Sequence, residues 1–142
     1  MSREEEPMAA SCFQAGNYVK ISSFFHSPED ARAGNPYNTT FQLSVCSDGF
    51  SGTGEWECDI AALHTFAREV EELYRFQRER AELRDMGYGS TLTFSAADRL
   101  GHIRVGGTLL GLHGVQSLQF EFLADQTALE PFGKELAALL QK

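Results

Sequence analysis

The chain has 142 residues, of which 42% are hydrophobic, and its 12 basic and 20 acidic side chains give a formal net charge of −8. This length fits one domain, and the hydrophobic content excludes a disordered chain. The acidic balance disfavours direct binding of nucleic acid, which depends on Lys and Arg, and it favours a basic protein partner. No apolar run reaches the length of a bilayer span, so we expect no membrane partner.

The chain begins with charged and small residues that show no period, and we expect a flexible tail over residues 1–15. A single domain is predicted over residues 16–142. Alternation of apolar and polar residues predicts strands. The six predicted strands cover residues 18–25, 39–46, 50–58, 90–95, 102–105 and 116–123.

Two details of these strands are open to a structural test. Val19, Ile21 and Phe25 are predicted to share the buried face of the first strand. Gly52 and Gly54 weaken the third strand locally, which indicates a bulge or a close approach by another element.

Two helices are predicted from apolar residues spaced by three and four. The first runs from residue 60 to about residue 80 and is capped by Asp59. The second opens near Thr127, which has capping-box spacing to Glu130. The order βββαβββα predicts an α+β fold: a single twisted antiparallel sheet of about six strands, with both helices packed on one face.

The cysteines and histidines indicate no particular chemistry. Three cysteines without CxxC spacing, together with an acidic N-terminus that lacks an apolar segment, favour a reducing cytoplasmic location. The histidines have no i,i+4 partner on a helix and no cysteine at ligand spacing. We therefore predict no catalytic residue, no metal and no cofactor. The histidines are His26, His64, His102 and His113.

Acidic residues on the solvated side of the predicted sheet are the candidates for binding a partner. We predict partner contacts at Glu55, Glu57 and Glu121, because the acids of the first helix are interleaved with arginines that cancel much of their field. A polar sheet face is also what any one-sided sheet shows to water. The competing acids on the helix are Glu69, Glu71, Glu72 and Glu79.

An ordered set of motifs extends over roughly residues 18–140. It comprises GFSG at 49–52, DI at 59–60, LTF at 92–94, GHIRVGG at 101–107, LQFEF at 118–122 and DQTALEPF at 125–132. This set resembles the small WapI-type immunity proteins. The resemblance implies a non-catalytic cytoplasmic protein that binds and neutralises a cognate toxin domain, such as a nuclease. It assigns no binding residue.

Two other interpretations remain open at the level of sequence. The first is a small-molecule-binding or hydrolytic domain with a pocket between the sheet and the helices, for which Trp56, His64 and Tyr74 are the candidate residues. The second is self-association through an exposed sheet edge, and the oligomeric state stays open.

Overall fold

The computed structural model describes residues 8–141, which form two antiparallel four-stranded sheets and three α-helices. The first sheet contains β1 (Ala10–Gln14), β2 (Asn17–His26), β3 (Thr39–Ser47) and β4 (Phe50–Cys58). The second sheet contains β5 (Arg80–Arg84), β6 (Thr91–Ala96), β7 (His102–Leu110) and β8 (Ser117–Asp125). The helices are α1 (Pro28–Arg32), α2 (Ile60–Tyr74) and α3 (Gln126–Leu140).

The predicted α+β class with antiparallel pairing is confirmed, but the single six-stranded sheet is wrong. In each sheet the strands lie side by side in chain order, and each sheet is followed by a long helix. Most neighbouring strands are joined by hairpins or short connections, as antiparallel pairing allows, and the longer connection between β2 and β3 contains α1. The two halves of the chain therefore share one arrangement, four strands and then a helix.

The structure has eight strands where six were predicted, and the two additional strands are β1 and β5. β1 lies within the predicted tail and pairs with β2 through a turn in which Ala15 and Gly16 have φ values of 53° and 86°. β5 follows α2, which ends at Tyr74 and not near residue 80, because Phe76 leaves the helical path with a φ of 61°. Residues 1–7 of the predicted tail lie outside the described residues.

A bulge in β2 changes which side chains face the core. The register with β3 shifts between Ser22 and Phe25, where Ser23 has a φ of 53°. Val19 and Ile21 are buried as predicted, but Phe25 is 62% exposed. The prediction for Phe25 was wrong because one extra residue inverts the alternation of a strand.

The predicted start was right for α2 and wrong for α3. Asp59 caps α2 as predicted, since its Oδ1 accepts a hydrogen bond from the Ala61 amide at 3.0 Å. At α3 the capping box was wrong. The helix begins at Gln126, so Thr127 is already inside its first turn.

The two long helices, α2 and α3, pack against the sheets and against each other. α3 packs along β1, α2 packs along β5, and the two helices contact each other. Phe66 of α2, Phe94 of β6 and Phe132 of α3 form an aromatic cluster with ring centroids 5.1 to 6.4 Å apart. Within residues 8–141, no helix has the length and apolar character required to cross a membrane.

The sheets touch each other where β4 passes β7. A Cβ atom on Gly54 would lie 2.8 Å from Leu109 Cδ1 and 3.1 Å from the Leu110 carbonyl oxygen. The close approach predicted from the strand glycines is thus confirmed. On the neighbouring strand pair, Ser47 Oγ donates a hydrogen bond to the Glu121 carbonyl oxygen at 3.0 Å.

Gly107 provides a test of the second sheet. Its φ is 152°, and a Cβ atom there would lie 2.0 Å from the Thr91 carbonyl oxygen. We expect Gly107→Ala to lower the free energy of unfolding by about 2–4 kcal/mol, measured by urea denaturation, because the backbone conformation and the contact both exclude a side chain.

Gly133→Ala is the matched control for that substitution. Its new Cβ would be 3.8 Å from Val70 Cγ1, an ordinary contact, and it lies inside α3. Since alanine is the better helix former, we expect it to raise stability by about 0.5–1 kcal/mol. An unchanged denaturation midpoint for Gly107→Ala would contradict the backbone path described for β7.

Candidate functional site

The candidate site lies on the outer face of the first sheet, which is the face turned away from the core. Cross-strand register places Phe25, Thr40 and Glu57 in one row on this face. Glu55 stands in the next row, opposite Gln42. Glu55 and Glu57 are exposed, whereas Trp56 between them is fully buried, as the alternation of a strand requires.

A depression of about 370 Å³ opens beside these two glutamates. We call it the β4 depression. Three of its side chains are large and well exposed: Tyr37 at 48%, Tyr88 at 39% and Met86 at 38%. Its lining consists of Tyr37, Thr40, Glu55, Trp56, Glu57, Met86, Gly87 and Tyr88.

Asp85 fixes the loop that forms one side of the depression. Its side chain is 2% exposed, and its Oδ1 accepts hydrogen bonds from the Glu57 amide at 2.8 Å and the Gly87 amide at 2.9 Å. Its Oδ2 accepts from the Tyr88 amide at 2.7 Å. The Met86 amide donates to the Glu57 carbonyl oxygen at 2.8 Å. These bonds fasten the loop to the edge of β4.

Sequence reasoning did not identify Asp85. The local signal was present, because Asp followed by Gly two residues later is typical of a side chain that accepts bonds from its own turn. The bond to β4 had no local signal. It joins residues 28 positions apart.

Asn38 and Asp59 fix the segment between Tyr37 and Thr40, two residues that line the depression. Asn38 is 4% exposed, donates to Asp59 Oδ1 at 3.2 Å and accepts from the Ile60 amide at 2.8 Å. The pKa of Asp59 is lowered, first by the bond from the Ala61 amide and then by the bond from Asn38. The connection that carries Tyr37 is therefore tied to the start of α2.

The charges on this face differ from those on α2. Glu55 and Glu57 form no ion pair with any residue of the described range 8–141. On α2, Glu71 lies 3.1 Å from Arg75, and Glu72 lies 2.9 Å from Arg78. On the outer face of the first sheet Glu55 and Glu57 are therefore free of ion pairs within the described residues, and the one lysine of that face, Lys20, stands in the neighbouring row with Ser44 and Thr53, whereas Glu71 and Glu72 of the helix are paired.

Glu121 does not belong to the same surface. It lies on β8 of the second sheet, and its carboxylate is 3.5 Å from the Arg104 guanidinium. The structure brings Glu55 and Glu57 together beside the depression and places Glu121 elsewhere, next to a cation.

The residues considered for a small-molecule pocket do not converge either. Trp56 is fully buried in the lining of the β4 depression, and His64 is exposed on α2. Tyr74 lines a separate groove between α2 and α3, where its hydroxyl donates to Glu130 at 2.8 Å. That hydrogen bond raises the pKa of Tyr74.

The three cysteines are free thiols. Cys12 and Cys58 are buried, and burial raises the pKa of each to about 12. Both therefore stay protonated and unreactive at neutral pH. Among residues 8–141, no three His, Cys, Asp or Glu side chains are grouped so that they could hold a metal ion.

No family model and no curated protein matches the chain. Among solved structures, the fold is similar to that of a chain in the crystal structures of Trypanosoma brucei MRP1/MRP2, with a TM-score of 0.52 and 9% sequence identity. The alignment covers 95% of this chain and 83% of that chain. At this identity the similarity shows a shared α+β architecture alone.

Asp85 offers a test of how the depression is held. We expect Asp85→Ala to lower the free energy of unfolding by about 2–4 kcal/mol, because three amides lose a charged acceptor. Hydrogen exchange should accelerate at the amides of Glu57, Gly87 and Tyr88. The exposed Glu79→Ala is the control, and equal effects of both substitutions would contradict the proposed role of Asp85.

The turn between β6 and β7 contains an exposed ion pair that can be titrated. His102 Nδ1 lies 2.5 Å from Asp98 Oδ2, and His102 Nε2 lies 3.9 Å from Asp125. The hydrogen bond with Asp98 raises the pKa of His102, and the same bond lowers the pKa of Asp98.

We expect NMR titration to give His102 a pKa above the ordinary value of about 6.5. The stabilisation from His102 is complete below that ordinary value and is lost as the pH rises through the pKa of the folded state. The stabilisation from Asp98 is present above its ordinary pKa and is lost as the pH falls through its lowered one. Asp98→Asn should lower the His102 pKa more than Asp125→Asn does; the reverse order would contradict the assignment.

Proposed function

We propose that this protein is a non-catalytic binding domain of the immunity type, which binds a basic protein in the cytoplasm and neutralises it. The expected partner is a toxin domain, for example a nuclease. The ordered motifs that resemble WapI-type immunity proteins support this proposal, and so does the net charge of −8. A phosphate-binding toxin tends to be basic, and an acidic inhibitor complements it.

The observation that carries the proposal is the outer face of the first sheet. It combines the carboxylates of Glu55 and Glu57, which form no ion pair within residues 8–141, with the exposed side chains of Tyr37, Met86 and Tyr88. Aromatic residues and methionine are enriched in the centres of protein interfaces, and charge complementarity selects the partner. The chain thus presents both ingredients of an interface in one place.

Binding on this face would proceed in two physical stages. The negative field draws a basic partner toward the face and raises the association rate. Close contact then buries the tyrosine and methionine side chains, which slows dissociation. The hydrogen bonds of Asp85 and Asn38 fix the backbone next to the lining residues in advance, so little conformational freedom is lost on binding. Neutralisation requires only that the covered partner surface cannot reach its own target.

Charge reversal tests the assignment of the face. We expect Glu55→Lys with Glu57→Lys to slow association with the cognate partner by about tenfold or more and to weaken its salt dependence. The fold should be unaffected, since exposed substitutions usually change stability by less than about 0.5 kcal/mol. The partner is the basic protein that the wild-type chain retains from native lysate and that stops growth when expressed alone.

The matched control is Glu71→Lys with Glu72→Lys on α2, which also adds four charge units but alters acids that are already paired. Growth should be rescued by co-expression of the wild type and of the helix variant, and poorly by the sheet variant. Loss of rescue in the helix variant alone would move the binding site to α2. A retained partner that has no toxic activity would contradict the immunity function itself.

A further inference from the structure

We infer that the β4 depression receives one arginine side chain from the partner and thereby sets the register of the complex. This inference rests on the proposed function, because it names the group that a basic partner presents to the outer face. The volume of about 370 Å³ lies at the low end of the roughly 300–1,000 Å³ that is typical of ligand sites. It therefore suits a single side chain better than a cofactor.

The two carboxylates are spaced for a group with several donors. Glu55 and Glu57 are two residues apart on the same face of β4, which separates their Cα atoms by about 6.6–6.8 Å. A guanidinium group carries five N–H donors in a planar fork and can bond to one carboxylate through two donors while others remain free. An ammonium group is a compact point charge and lacks this reach.

The aromatic side chains of the depression add a second, independent preference. Tyr37 and Tyr88 both line it, and both keep a large exposed fraction. The face of a tyrosine ring attracts a cation, and the flat guanidinium also stacks on such a ring. Carboxylates alone would attract any cation, but carboxylates beside tyrosines favour arginine over lysine.

The lining supplies reporters that do not require the natural partner. Glu55, Glu57, Gly87 and Tyr88 all belong to it, so their resonances can follow binding. The Trp56 side chain lies on the opposite, inner face of β4, where its ring stacks on Phe41 with the centroids 5.4 Å apart.

The experiment titrates the isotope-labelled full chain with three capped tripeptides, Gly-Arg-Gly, Gly-Lys-Gly and Gly-citrulline-Gly. Citrulline keeps the shape of arginine and removes its charge. We expect the arginine peptide to shift the resonances of Glu55, Glu57, Gly87 and Tyr88. Its affinity should exceed that of the citrulline peptide by about tenfold or more, with the lysine peptide between them.

Two double variants make the result specific. Glu55→Gln with Glu57→Gln should abolish the shifts with little change of shape, whereas Glu71→Gln with Glu72→Gln on α2 should leave them unchanged. Equal binding of arginine and citrulline peptides, or shifts confined to the groove between α2 and α3, would overturn the inference.

The outcome separates this inference from the proposed function. If a toxic partner is neutralised through the outer face but the arginine peptide shifts none of these resonances, only the arginine site is wrong. If the peptide binds as expected but no toxic partner is neutralised, the arginine site stands and the immunity function fails.

Discussion

The contact between β4 and β7 is the constraint on which the rest of the structure depends. Because Gly52 and Gly54 have no side chains, Leu109 of the second sheet lies directly against the backbone of the first. The inner face of β4 is thereby committed to the core, and its alternate residues, Glu55 and Glu57, must point outward. The same packing that joins the two sheets therefore presents the charged face.

Three of the four edge strands, β1, β4 and β8, have a backbone group that bonds to another part of the chain. On β1, the Ser11 amide donates to Glu135 Oε1 at 2.9 Å, and at the end of β8, the Asp125 amide donates to Gln14 Oε1 at 3.1 Å. On β4, Glu57 uses its backbone amide and carbonyl for the loop at Asp85. An edge whose groups already have partners is a poorer template for pairing with a second chain. These contacts favour side-chain surfaces over strand edges as the place of association.

The sequence predicted the parts of the fold that depend on local periodicity. Alternation located six of the eight strands, and the Asp59 cap located α2, because neighbouring residues determine both features. The strand β1 was not predicted, because its buried residues, Ala10 and Cys12, are small and follow a charged segment.

The candidate site was predicted in part, since the alternation of β4 places Glu55 and Glu57 on one face. The sequence did not predict that Glu121 lies in a different sheet or that Asp85 lies at the edge of β4. Both placements depend on contacts between residues far apart in sequence.

The packing of α3 along β1 has a consequence for synthesis of the chain. The first strand leaves the ribosome more than a hundred residues ahead of the helix that covers it, as the 124-residue separation of Ser11 and Glu135 shows. Until α3 has emerged, β1 lacks the helix that packs along it in the folded protein. In the completed protein the Cys12 thiol is fully buried. The thiol is therefore enclosed only once α3 has packed along β1, which makes the burial of a residue near the start of the domain depend on the last helix.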